Sequence, residues 1–439
     1  MIDITDKHDC CGCAACAQAC PKQCITMQAD SEGFLYPKVD GSLCIDCGLC
    51  EKVCHELHSY DEHRPQQVLA VVNKDEEVRM HSSSGGIFYI LASKVIAEGG
   101  VVFGARFDND WQVVIDYAET MDGIKAFMGS KYVQARTGTA FRDARRLLQD
   151  GRKVLFTGTP CQIAALRHYL RKDYENLTTV DFVCHGTPSP KVWQKYLDEV
   201  IKAGQRISSV EFRNKKKGWK QFCFHLQYNE DDATVSMLSP AGKNHFMKAF
   251  LKDVILRPSC YACKAKEGRS NSDLTIADFW GIEKVFPDMD DNKGTGMVFI
   301  NTDKGAATLD YDKMTTRMTD YETVRPLNTA SWRSSAPHPK RADFFDKLDS
   351  TESLITLINE ITRPTFLQQC RQQASCAKHL LLKLIGGGNS EQTHKVITSL
   401  PIHPQIADIS FRNKERGWRG YYMDIRVKET KQDAAQPLL

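Results

Sequence analysis

Two cysteine runs near the N-terminus restrict what this chain can fold into more than any other feature. They read Cys10-Cys-Gly-Cys13-Ala-Ala-Cys16-Ala-Gln-Ala-Cys20-Pro21 and Cys44-Ile-Asp-Cys47-Gly-Leu-Cys50-Glu-Lys-Val-Cys54. Both have the spacing C-x2-C-x2-C-x3-C. Two-residue gaps in a tight loop let three thiolates converge on three corners of an iron–sulfur cube, and the fourth corner takes a cysteine from elsewhere. Crossing the runs assigns Cys10, Cys13, Cys16 and Cys54 to one 4Fe-4S cluster and Cys44, Cys47, Cys50 and Cys20 to a second.

Zinc also uses C-x2-C pairs, but two complete runs with Pro21 behind the first fit a dicluster ferredoxin better. A disulfide framework is disfavoured, because no secretory signal precedes the cysteines and disulfides are rare in reducing cytosol. His55 stands where the second run would carry proline. Cys11 and Cys24 fall outside the pattern and are read as non-ligands. The segment is rich in Asp and Glu, which suits either docking of a basic redox partner or a solvated face.

The 439 residues are enough for two or three domains. A formal net charge of +3 argues against a general nucleic-acid binder. No apolar run approaches the roughly 20 residues needed to span a bilayer. A cytoplasmic location is expected, with seventeen cysteines pointing to metal chemistry in a reducing setting.

Residues 55–66 are polar and aperiodic and read as a linker. Beyond them strand and helix signals alternate. Strands are expected at Val68–Val72, Val101–Phe103, Lys153–Phe156 and Leu177–Val183, and helices at Ile87–Ile96, Thr137–Leu148, Cys161–Leu170 and Pro190–Val200. Later strands are expected at Val210–Arg213, Phe222–Leu226, Leu274–Ile276 and Met297–Ile300, with helices at Phe246–Ile255, Leu354–Ile361 and Phe366–Leu384. The expected fold class is α/β: a mixed, largely parallel sheet domain, preceded by a small α+β dicluster ferredoxin domain and followed by a helical C-terminal region. The corresponding boundaries are 1–60, 68–340 and 341–439, the last ending in a polar basic tail.

One motif recurs. Phe212-Arg-Asn-Lys215 with Gly218-Trp219 returns as Phe411-Arg-Asn-Lys414 with Gly417-Trp418. Nothing else nearby is read as repeating, which excludes a solenoid. The pair reads either as two basic, aromatic-tipped hairpins gripping a partner or as two turns with a packed tryptophan.

Further cysteines follow strands. Cys161 comes after Leu155-Phe-Thr-Gly-Thr-Pro160, Cys184 sits in Val183-Cys-His-Gly-Thr-Pro188, and Cys260-Tyr-Ala-Cys263 forms a lone C-x2-C. If the first two strands are parallel neighbours, Cys161 and Cys184 share the carboxyl edge where open α/β sheets place their sites. The C-x2-C pair would then complete a four-thiolate shell; the alternative is that Cys161 and Cys184 are buried apolar fillers.

With Ser82-Ser-Ser-Gly-Gly-Ile87, Gly129-Ser-Lys-Tyr-Val133 and Asp273-Leu-Thr-Ile-Ala-Asp-Phe-Trp-Gly281, these segments resemble the coenzyme F-420 hydrogenase/dehydrogenase beta subunit family over roughly residues 68–340. The resemblance implies FAD beside a third 4Fe-4S cluster held by Cys161, Cys184, Cys260 and Cys263. It places Ser83, Ser84, Gly85 and Gly86 along the flavin nucleotide, with Gly129, Ser130, Lys131 and Tyr132 nearby. That fits the chemistry of pyrophosphate binding, in which glycines admit backbone amides and Lys131 offers a cation. His185, beside a cluster cysteine, is the candidate proton donor. No G-x-G-x-x-G and no P-loop is present.

The function expected from these residues is an iron–sulfur flavoprotein oxidoreductase. It would pass electrons from the ferredoxin clusters through the third cluster to FAD and an organic acceptor, either a deazaflavin coenzyme or a polysaccharide-pathway substrate. The alternative is a non-catalytic electron-transfer subunit of a larger redox complex. Expected partners are a redox protein or small-molecule electron carrier and the acceptor, with no nucleic acid and no membrane span; oligomerisation is left open.

Overall fold

The computed structural model describes residues 1–364 except Asp232, and the backbone of 406–413 and 421–427. Met1–Thr362 forms one compact unit and Arg363–Leu439 another. The expected helix Phe366–Leu384 lies outside the described residues.

In the first unit the strands are β1 (Ile25–Ala29), β2 (Leu35–Val39), β3 (Gln67–Asn73), β4 (Val101–Phe107), β5 (Val113–Ala118), β6 (Val154–Thr157), β7 (Leu177–Phe182), β8 (Arg206–Asn214), β9 (Cys223–Glu230), β10 (Ala233–Pro240), β11 (Leu274–Asp278), β12 (Gly296–Ile300) and β13 (Met314–Thr319). The hairpin β1–β2 belongs to the ferredoxin segment. Eight strands form the main sheet in the order β13-β3-β12-β11-β7-β6-β4-β5. The four strands β4, β6, β7 and β11 run parallel at its centre, and the pairs outside them are antiparallel. The fold is therefore mixed α/β, with its parallel part in the middle. Strands inside the sheet are covered on both faces and are buried along nearly their whole length: β12 is buried at every position and β7 at its first five, although β7 carries two threonines and Asp181. The flanking β5 alternates instead, as a half-covered strand does.

Two helices that position the site start for legible reasons. Pro160–Leu170 opens on Thr159 with a capping box to Gln162 and proline at its first turn. Pro190–Val200 has Ser189 as its cap. The expected helix over 246–255 spans only His245–Leu251, because Asp253 takes φ +57° and turns the chain. The helix expected from Thr137 begins at Ala140. Its first amides, Phe141 N and Arg142 N, donate to Gln18 Oε1 of the ferredoxin segment at 3.0 and 3.2 Å.

A second sheet, β10-β9-β8, packs with Pro190–Val200, His245–Leu251 and the C-terminal helix Leu354–Ile361 around Trp193 and Phe212. The expected linker 55–66 is tied down rather than free. His55 and Glu56 are buried, and Tyr60 stacks on His168 at 4.5 Å.

The second unit contains the antiparallel pair β14 (Ile406–Asn413) and β15 (Tyr421–Val427), where the sequence suggested a polar tail. The repeat is longer than its motif. Ile207–Tyr228 aligns without a gap on Ile406–Val427, and the strand register agrees: Ile207 faces Tyr228 as Ile406 faces Val427, each followed by an irregularity before Ser209 and Asp408. A whole hairpin is therefore repeated, which corrects the expectation that only the motif recurs. The two registers diverge at one end, where Asn214 faces Cys223 but Asn413 faces Tyr421.

Candidate functional site

Parallel β6 and β7 end side by side at one edge of the main sheet. Cys161 follows β6 in the first turn of Pro160–Leu170, and Cys184 follows β7. The short turn Pro258–Ala262 brings Cys260 and Cys263 to them. Burial pushes the Cys184 thiol up, and Cys260, Cys161 and Cys263 add to the rise against the opposing Lys266. Burial likewise pushes Cys263 up to about 12. Four thiols brought to one place form a donor set that could hold a metal centre. Thr187 N lies 3.4 Å from Cys260 Sγ and Thr159 Oγ1 lies 3.1 Å from Cys161 Sγ.

These four cysteines line one cavity of about 580 Å³ together with Ser82–Gly86 and Gly129–Tyr132, a size usual for a cofactor or ligand pocket. The two loops hold each other: Ser130 N donates to Ser83 Oγ at 2.7 Å, and the two hydroxyls pair at 2.8 Å. Ser84 Oγ donates to Thr295 O at 2.8 Å. Gly85 is required by the protein's own packing, since a Cβ there would lie 2.3 Å from Val71 O and 2.5 Å from Gly296 N. Gly86, at φ +83°, starts the helix Ile87–Ala97. Lys131 donates to Met128 O and Gly129 O, at 2.8 and 3.2 Å, and burial pushes its ammonium down to about 7. In this arrangement it faces carbonyls of its own loop.

The first copy of the repeated motif forms one wall. Arg213 makes a two-pronged pair with Asp278 at 2.7 and 2.9 Å and reaches Tyr132 Oη at 3.2 Å and Ser83 O at 3.3 Å. Lys215 Nζ donates to Ser84 O at 2.6 Å and to Arg79 O and Lys293 O, each at 2.8 Å. Trp219 Nε1 donates to Asp278 at 2.9 Å, and its ring stacks on Trp280 at 4.6 Å. Arg213, Lys215 and Trp219 are all buried, so this copy is an internal clasp on the serine–glycine loop and no exposed grip. The motif was visible in the sequence; its acceptor Asp278 was visible only as part of Asp-Phe-Trp-Gly, with nothing to pair the two.

His185 also lines the cavity. Its Nε2 lies 2.6 Å from Asp253 Oδ1, and its ring meets Phe250 edge-on at 5.4 Å.

In the ferredoxin segment, Cys10, Cys13, Cys16 and Cys54 line one small cavity and Cys20, Cys44, Cys47 and Cys50 another. Left-handed Ala14 and Gly48 turn the chain into the short helices Ala15–Ala19 and Leu49–Lys52. Each cavity has a fifth cysteine that the spacing set aside, Cys11 in the first and Cys24 in the second. Cys24 Sγ lies 3.3 Å from Cys20 Sγ, and that contact foremost pushes its thiol up to about 11.

The ferredoxin segment packs over the carboxyl edge of the sheet. Arg257, 1 % exposed, donates to Cys10 O at 2.7 Å, Gln134 Oε1 at 3.1 Å and Leu35 O at 3.0 Å. Its guanidinium lies 4.3 Å from the Tyr36 ring centre. Arg341 grips the Glu32 carboxylate with both nitrogens. Cys11, Cys13 and Glu56 consequently border the same large cavity as Cys161, Cys184, Cys260 and Cys263.

A cysteine-rich ferredoxin module seated on the carboxyl edge of a mixed α/β sheet defines an iron–sulfur protein of the electron-transferring class. Comparison with known families agrees. Residues 151–322 match the C terminus of the beta subunit of coenzyme F420 hydrogenase/dehydrogenase, and residues 9–56 match the 4Fe-4S dicluster domain. The chain thus carries the C-terminal domain of that oxidoreductase family behind a 4Fe-4S module. Among solved structures, it is similar to a chain of the F420-reducing [NiFe] hydrogenase complex from Methanosarcina barkeri, studied as a xenon derivative. The identity is 19 %, the coverage 66 % of this chain and 92 % of that one, and the TM-score 0.41. No curated protein matches. Among the described residues, no helix is long and apolar enough to cross a membrane.

Proposed function

We propose that the chain is an iron–sulfur flavoprotein oxidoreductase with three 4Fe-4S clusters and FAD, working as one conduit to an organic acceptor. The observation that carries this reading is the single cavity bordered by the serine–glycine loop, by the four cysteines at the sheet edge and by Cys11 and Cys13. Cys10, Cys13, Cys16 and Cys54 would hold the first cluster, Cys20, Cys44, Cys47 and Cys50 the second, and Cys161, Cys184, Cys260 and Cys263 the third. Bound there, clusters supply one-electron carriers and a flavin supplies the exchange between single electrons and a hydride.

The chain's own residues then bind, orient and protect. Ser83–Gly86 and Gly129–Tyr132 form the flavin cradle, which Arg213 and Lys215 keep in shape through Ser83 O and Ser84 O. Arg257 holds the first cysteine loop against the sheet edge. His185, whose Nε2 is oriented by Asp253, stands at the cavity wall as the proposed proton donor. The domains proposed for these tasks are 1–60 and 68–340, in a cytoplasmic protein.

The rival reading, an electron-transfer subunit without a substrate pocket, calls for an open flavin edge beside a large apolar patch, whereas the enzyme calls for a deep pocket over the flavin. The test is anaerobic purification, identification of the released flavin, and reoxidation of the reduced protein by a deazaflavin or other hydride acceptor. Release of FAD with direct hydride transfer supports the enzyme. FAD without such transfer, but with transfer to a partner protein, supports the rival.

A further inference from the structure

The ferredoxin pattern leaves two residues unused: Cys11, the extra cysteine beside the first ligand, and His55, in the place of a proline. They are 44 positions apart in sequence, yet Cys11 Sγ lies 3.1 Å from His55 Nε2. Glu56 joins them, with Oε1 3.5 Å from the same nitrogen. One ligand atom from each residue lies within 4.8 Å of the others. All three are buried, at 8 %, 1 % and 8 % exposure.

A thiolate, an imidazole and a carboxylate converging in a buried place form a donor set for a divalent transition metal. A tetrahedral ion with arms of about 2.0–2.3 Å holds its ligand atoms roughly 3.3–3.8 Å apart. The observed 3.5 Å falls within that span, and 3.1 Å is short of it by a small side-chain adjustment. The carboxylate is only loosely engaged elsewhere: Lys264 Nζ donates to the Glu56 main-chain carbonyl at 3.0 Å and makes a long ion pair with Oε2 at 3.9 Å.

We propose that Cys11, His55 and Glu56 hold a mononuclear divalent metal ion of the zinc or ferrous class, separate from every iron–sulfur cluster. Three protein ligands leave a fourth position open, and Cys11 and Glu56 both border the large cavity. The site lies at the seam: Cys11 neighbours Cys13 of the first cysteine set and Cys161 of the sheet-edge set. The ion's two charges are balanced by the Cys11 thiolate and the Glu56 carboxylate, so the filled site adds no net charge between the two four-thiolate sites.

The experiment compares total metal, resolved by element, with acid-labile sulfide in the full chain purified anaerobically. Cubane clusters hold equal numbers of metal ions and sulfides, so any mononuclear ion appears as an excess of metal. The expected result is an excess of about one metal per chain in the wild type, falling to about zero in His55→Ala while sulfide is unchanged; the element in excess tells zinc from iron. Should His55→Ala also lose sulfide, Cys11→Ser supplies the same reading. A wild type with no excess, or an excess that survives both substitutions, overturns the site.

Discussion

Arg257 Nε donates to the carbonyl oxygen of Cys10 at 2.7 Å, so the residue just ahead of the Cys260–Cys263 turn grips the first cysteine loop. The same guanidinium satisfies Leu35 O, and Gly12 must be glycine partly because a Cβ would sit 2.8 Å from its Nη1. Electron transfer needs centres held close and in order, and this one side chain ties two of the proposed centres together.

Replacing Arg257 with methionine keeps much of the volume and strands two part-buried carbonyls, each worth about 1–3 kcal/mol. The expected loss of stability is of the order of 3 kcal/mol. Iron should leave the Cys10 set faster than the Cys44 set under a chelator. Equal loss rates, as in the wild type, would show that Arg257 does not hold the seam.

The Asp181 carboxyl lies buried on β7 with Oδ1 lacking a hydrogen-bond partner. Burial pushes it up to about 6 against the hydroxyls of Ser270, Thr275 and Ser272. In the folded chain it therefore binds a proton between about pH 4 and 6 that the unfolded chain releases. Its cost to stability is full above pH 6 and fades as pH falls towards 4. Asp181→Asn should gain on the order of 2–3 kcal/mol at pH 8, and the gain should shrink by pH 5. Thermal unfolding at the two pH values reads this directly, and a gain that does not change with pH contradicts it.

Much of this arrangement was legible in the sequence, for identifiable reasons. Cys161 follows the short apolar run of β6, which suits a doubly covered central strand, and Cys184 follows β7, where Leu177, Val180 and Phe182 are interleaved with strand-favouring threonines, so both strands could be placed before their partners were known. The antiparallel strands β10 and β13 carry polar faces that resemble loops. Burial of Arg213 and Lys215 depends on acceptors far along the chain, Asp278 and Lys293 O, and no local pattern announces such pairs. Cys11 and His55 were each conspicuous as departures from a pattern, but only folding brings them together.

His185 and Asp253 provide a separable test. Asp253→Asn weakens the 2.6 Å partnership that orients the imidazole, and His185→Gln removes the proton carrier. Both should slow transfer to a hydride acceptor, His185→Gln by roughly 100-fold, the usual lower range for a general acid. Reduction of a one-electron dye should be unaffected, as should flavin and sulfide contents. Equal loss with both acceptors would make His185 a structural residue.

Gly85 and Gly129 should behave oppositely to what their backbone angles suggest. Gly129, at φ +78°, has open space where a Cβ would go, so Gly129→Ala costs only the conformational penalty of about 1–2 kcal/mol. Gly85→Ala drives a Cβ into Val71 O and Gly296 N and should cost more, about 3 kcal/mol, losing flavin along with stability. Melting temperatures of the two variants, with their flavin contents, decide the order.

The central claim is a third cluster at the sheet edge, facing the first across the seam. Acid-labile sulfide per chain, measured on anaerobically assembled wild type and on Cys161→Ser, tests it without interference from any mononuclear metal. Three cubanes require about twelve sulfides in the wild type and about eight in the variant. About eight in both would mean that Cys161, Cys184, Cys260 and Cys263 hold no cluster.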